Sequence, residues 1–211
     1  MKKLIFSSIL IAVVAIASPA IGQMQHNKTV MSASSFQLKT DMRQLWEDHV
    51  TWTRNVILCL TDNLPGTDQA VKRLLKNQDD IGNAISSFYG EAAGKQLTQL
   101  LYGHINIAAE VVLAAKAGDN VKLADVNKRW FANADEIPEF LSKANPKWEL
   151  ADMKKMMHDH LNLTTDEAVQ RLQKNYDADI IAYDKVHKEI LEMSDMLAEG
   201  IVQQFPEKFK K

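Results

Sequence analysis

Three stretches of this chain put a histidine on the apolar face of a helix, and no other feature constrains the fold as tightly. The first is Leu45-Trp46-Glu47-Asp48-His49-Val50-Thr51-Trp52-Thr53-Arg54. The second is Leu100-Leu101-Tyr102-Gly103-His104-Ile105, and the third, in shorter form, is Met156-Met157-His158-Asp159-His160-Leu161. An imidazole turned into a core must be hydrogen-bonded, neutral or metal-bound, because an unpaired buried polar group costs several kcal/mol. The spacing therefore predicts helices packed around core-facing histidines.

The apolar pattern agrees. Met42, Leu45, His49, Trp52, Val56 and Cys59 recur at threes and fours, which is one stripe of a helix. Leu64-Pro65-Gly66-Thr67 ends that helix and opens a second, with Thr67 as N-cap, running to about Tyr89. Gly90 and Gly94 mark the next turn, and Ala117-Gly118-Asp119-Asn120 the one after it. Pro138 falls inside the fourth helix, and Asn145-Pro146 breaks the chain. A shorter helix follows over residues 147–163. Thr164-Thr165-Asp166-Glu167 then reads as a capping box that starts the last one. No stretch alternates as an exposed-face strand does. The expected fold is all-α, an up-down helical bundle of four long helices, a shorter fifth and a long C-terminal helix.

Of the 211 residues, the first 20 have the form of a secretory signal: Lys2-Lys3, an apolar run over Leu4–Ala17, then Ser18-Pro19-Ala20 for cleavage after Ala20, or alternatively after Gly22. The expected organisation is a signal peptide over 1–20 and a mobile leader over 21–35. One helical domain over 36–205 and a basic tail over 206–211 follow. No second apolar run of membrane-spanning length is read in the chain, so an exported protein, periplasmic or secreted, is expected. The net charge of -2 argues against a nucleic-acid partner, which usually meets a basic surface. The one cysteine, Cys59, has no disulfide partner in the chain and reads as a buried, inert thiol.

The first two helical hairpins resemble each other. Asn77-Gln78-Asp79-Asp80-Ile81 matches Asn133-Ala134-Asp135-Glu136-Ile137. In an antiparallel hairpin, residues equally far from the turn lie at one height. That places His49 level with Asp80 and His104 level with Glu136. A break at Leu163-Thr164 leaves His160 with no such partner at Asp179. Asp184 and His187, one turn apart, form another polar pair beside an apolar stripe.

Three accounts of this polar core stay open. In the first it is a hydrogen-bonded network that sets helix register, and the protein is structural or an interaction module. In the second it holds a metal ion, zinc or iron, or a small ligand. His49, Asp80, His104 and Glu136 are then the first ligands, His160, Asp179, Asp184 and His187 complete the set, and Asn77 and Asn133 orient them. In the third the same core is an enzyme site with a metal or a His–Asp general base. Neither Glu-x-x-His nor His-Glu-x-x-His is present. His158 is expected at the surface, Met153, Met156 and Met157 in the core rather than on copper, and Arg54 paired with Glu47 or Asp48.

The Leu45–Arg54 helix, an LWxDHVxWTR pattern, the segment Asn77-Gln78-Asp79-Asp80-Ile81-Gly82-Asn83-Ala84-Ile85 and Gln203-Gln204-Phe205-Pro206 together resemble an uncharacterised family of small all-helical bacterial proteins. The resemblance covers about residues 36–209. It implies the all-helical fold and no activity. Some members are labelled glycosyltransferases, a label this sequence does not support, since it lacks the alternating strands and helices of a nucleotide-sugar-binding domain. Many members lack an export signal, and this chain departs from them there.

Overall fold

The structure is a computed structural model that describes residues 31–210, so the signal segment and the leader up to residue 30 lie outside the described residues. Among the described residues there are six α-helices and a closing 3-10 turn, with no strand. They are α1 (Ala33–Asp62), α2 (Thr67–Tyr89), α3 (Glu91–Ala117), α4 (Asn120–Ala144), α5 (Leu150–Leu172), α6 (Tyr176–Gln204) and the turn Pro206–Phe209.

Local chemistry sets most of the ends. Ser32 caps α1 by accepting from the Ser35 amide, and Asn63 closes it in the left-handed region at φ 54°. Gly66 rather than Thr67 occupies the cap position of α2, and the Thr67 hydroxyl donates back to the Leu64 carbonyl at 2.8 Å. A single residue, Gly90 at φ 88°, joins α2 to α3, a backbone conformation that side chains rarely adopt. Asp119 caps α4 by accepting from the Lys122 amide.

The expected break at Leu163-Thr164 is absent. Helix α5 runs on to Leu172 and has 23 residues, as many as α2, so it is no shorter member. The capping-box residues Thr164 and Glu167 are buried in mid-helix, and burial of that face overrides the local signal. The turn comes at Gln173–Asn175 instead, with Lys174 at φ 60°.

Each helix packs on the next in sequence, and α6 returns to pack on α1. The odd-numbered helices α1, α3 and α5 also touch one another, so they share the middle of the bundle. One core cluster runs through it, including Met42, Trp46, Leu101, Trp130, Leu161 and Ile190. Helix α3 is long and apolar enough to cross a membrane by length and composition, contrary to the reading above, but it is packed against α2, α4 and α1. At the far end of the core, Trp148 lies against Gly200 and Tyr89. Tyr89 donates to Gln204 at 2.7 Å and accepts from Asn145 at 2.9 Å, tying α2 and α6 to the end of α4.

Helices α2 and α3 cross at Gly82 and Gly94. A Cβ on Gly82 would stand 2.8 Å from the Gly94 carbonyl oxygen, which is backbone and cannot turn aside. Gly82→Ala is expected to cost about 1–3 kcal/mol by forcing the helices apart, measured by urea denaturation.

Candidate functional site: a three-histidine core

His49 on α1, His104 on α3 and His160 on α5 are each 3–4 % exposed, and all three line one chamber. The ring centres of His49 and His160 are 6.0 Å apart, and those of His104 and His160 are 6.4 Å apart. The three helices that carry a buried histidine are the three that meet in the middle of the bundle.

Each ring is held at Nδ1 by a residue of the following helix, and the separation is the same each time. His49 meets Gln78 at 3.3 Å, His104 meets Asn133 at 2.8 Å and His160 meets Glu189 at 3.0 Å, in every case 29 residues on. The partners set the tautomers. The Gln78 amide nitrogen donates to the Leu74 carbonyl at 2.8 Å and shares its second N–H between Asn77 Oδ1 at 3.2 Å and His49 Nδ1 at 3.3 Å, an arrangement that suits a His49 proton on Nε2. Asn133 donates its own N–H to the Leu100 carbonyl at 3.1 Å, so its oxygen accepts from His104 Nδ1. Glu189 has only oxygens and accepts from His160 Nδ1. His104 therefore keeps the Nε2 lone pair.

The Asn77 and Asn133 match has a common purpose. Asn77 donates to the Leu45 carbonyl and Asn133 to the Leu100 carbonyl, each one turn before the histidine of its pair. In the second pair Asn133 serves both carbonyl and imidazole. In the first the two tasks fall to Asn77 and Gln78.

Burial drives the His104 pKa from 6.5 to about 3, with the His160 ring adding to the effect. Burial, then His160, then His104, hold His49 well below 6.5. Both rings are neutral at physiological pH and keep their lone pairs. The chamber has a volume of about 30 Å³, room for a water or an ion. The rest of its wall is apolar and rich in methionine: Met42, Met153, Met156, Met157, Met193 and Met196.

The carboxylates expected with these histidines stand elsewhere. Asp80 faces out and pairs with Lys76 at 2.5 Å. It lies two residues past Gln78, about 200° around the helix. Glu136 is exposed, on a shallow groove between α3 and α4. Asp184 is exposed, and His187 is half-buried at the surface against Glu47 at 2.8 Å. Asp179 is buried, but in a separate cluster. It accepts from Arg54, which also reaches Glu167 at 2.9 Å, and it lies 3.5 Å from Arg171, which in turn pairs with Asp62. Arg54 thus bridges α1 to α5 and α6 rather than pairing with Glu47 or Asp48. His158 is half-buried against Asp135 at 3.0 Å, and Cys59 is half-buried. Gln78, Glu189 and Glu167 were not singled out from sequence. The 29-residue interval is the signal that finds the first two.

Among the described residues, no three His, Cys, Asp or Glu side chains stand close enough to enclose a metal ion as they are. No protein-family model matches the chain, and neither a curated protein nor a solved structure gives a significant match.

Burial pushes the Glu167 carboxyl from 4.5 to about 7, against the pull of Arg54. This gives a pH dependence of stability with two signs. Between about 3 and 6.5 the unfolded chain binds a proton on His104 that the folded chain does not, and His49 acts in the same direction below 6.5, so stability rises with pH. Between 4.5 and about 7 the folded chain keeps a proton on Glu167 that the unfolded chain has released, so this group lowers stability as pH rises. Two groups act against one. Urea denaturation across pH should show a steep rise below 4.5 and a shallower one from 4.5 to 6.5, and Glu167→Gln should steepen the upper part.

Proposed function

We propose that this is an exported, metal-binding up-down bundle of three helical hairpins, in which His49, His104 and His160 hold one transition-metal ion through Nε2. The observation that carries the reading is the repeated construction: three buried imidazoles on three central helices, each gripped at Nδ1 from behind. A metal-binding histidine is commonly held in this way, and the grip fixes its tautomer and direction. Two imidazoles sharing an ion at about 2.1 Å have ring centres at most roughly 6.5 Å apart. The distances of 6.0 and 6.4 Å fall within that span. A tetrahedral set needs about 5.3 Å, so loading draws His49 and His104 each roughly 1 Å closer to His160. At His49 the ring proton must move to Nδ1. That protonation costs the Gln78 contact, because the Gln78 amide nitrogen is held on the Leu74 carbonyl.

Three imidazoles with no carboxylate among the lining residues suit zinc or copper better than iron, whose common site pairs two histidines with a carboxylate. Glu189, behind His160, supplies the nearest compensating charge. A second reading is a purely structural core, favoured by the fact that each Nδ1 bond already joins the two helices of its pair.

The mature chain, purified without a histidine tag, is expected to retain zinc or copper on elemental analysis. It should gain about 2.7 kcal/mol of stability at a hundredfold excess of metal over Kd. His104→Gln and His160→Gln should abolish the gain, and Glu189→Gln should weaken binding by about 10- to 100-fold. No retained metal and no shift with zinc(II) or copper(I) leaves the structural reading.

A further inference from the structure

A second cavity, of about 150 Å³, lies among α1, α3, α4 and α5, with Leu74 of α2 also in its wall. The residues that line it on α1, α3 and α5 follow the histidine of each helix, whereas those lining the histidine chamber on these helices precede it. Its wall is mostly apolar, with Val56, Ile105, Val112 and Ala168 among the lining side chains, and no charged residue contributes to it.

Three of its lining residues hold buried polar atoms with no partner among the described residues: Thr53 Oγ1, Thr164 Oγ1 and Trp130 Nε1. Thr164 is 6 % exposed and Trp130 3 %. Orphaned polar atoms in a native core call for an explanation. Rotation about Cα–Cβ exchanges a threonine hydroxyl with its methyl at nearly constant volume, so either threonine can present oxygen to the cavity.

We propose that this cavity binds a neutral, benzene-sized organic molecule carrying one hydroxyl group, a phenol or a cyclic alcohol. A mostly apolar cavity of this volume accepts a benzene-sized guest. A charged guest would meet no counter-charge in the wall, which excludes carboxylates and amines. A guest hydroxyl group can donate to a threonine oxygen turned toward the cavity. The site is independent of any metal at the histidines.

The test is titration of the metal-free mature chain with phenol, cyclohexanol and benzene, followed by calorimetry and by NMR contacts from guest protons to the Trp130 indole. The expected result is saturable binding, with phenol bound about tenfold more tightly than benzene, the worth of one hydrogen bond in an apolar site. Thr164→Val should reduce that preference while benzene still binds. Ala168→Leu, which fills the cavity, should abolish binding of all three. Absence of saturable binding, equal affinity for phenol and benzene, or binding that survives Ala168→Leu overturns the proposal. If Ala168→Leu does not fold, the contacts to Trp130 in the unaltered chain decide it: their presence supports the site and their absence overturns it.

Discussion

The bond from each imidazole Nδ1 to a side chain on the next helix is the contact on which the rest of this structure rests. A histidine buried without it would leave a donor or acceptor unsatisfied, at a cost of about 1–3 kcal/mol. With it, the ring is oriented and joined to the helix that follows. Register is thereby specified twice over in the first two pairs, where an asparagine amide also grips the carbonyl one turn earlier. A slide of either helix by one residue would turn the partner by about 100° and break both contacts. Apolar packing alone tolerates such slips more readily.

The second polar layer hangs from the same central helix. Glu167 lies two turns beyond His160 on α5, and Arg54 a little more than a turn beyond His49 on α1. Arg54 joins Glu167 to Asp179 at the start of α6. Replacing a buried ionic cluster by apolar residues is often neutral or stabilising, so its contribution lies more in deciding which helices meet. Between the two layers and beyond them, the core does not close completely, and the chamber and the larger cavity are the spaces left.

Much of this was legible in the sequence. The apolar period located most of the helices, and His49, His104 and His160 on that period are buried, whereas His187, beside the stripe of the last helix, stays at the surface. The likeness of Asn77 to Asn133 pointed to a shared task. The failures have physical causes. Thr164 and Glu167 satisfy a capping pattern, and only tertiary burial reveals that they belong inside a continuous helix. That misplaced turn hid Glu189, because the midpoint between His160 and Glu189 falls at Gln173–Asn175 and not at Leu163. Asp80 and Glu136 drew attention because they carry charge. The amides Gln78 and Asn133 are cheaper to bury, and they occupy the positions beside the rings. The expected pairing of Arg54 with Glu47 or Asp48 fails because its partners, Glu167 and Asp179, lie more than 100 residues away in the chain.

The return of α6 onto α1 closes the circuit of helices. Lys39 and Arg43, early in α1, bond Asp195, late in α6, and the last turn of the chain also rests on α1. The first and last described segments therefore finish side by side. What this architecture demands is the cyclic succession of its helices, while the site at which the backbone is interrupted is arbitrary. A chain joined there and severed in the exposed turn at Gly118 would keep every pairing intact, and for that reason this protein is suited to circular permutation.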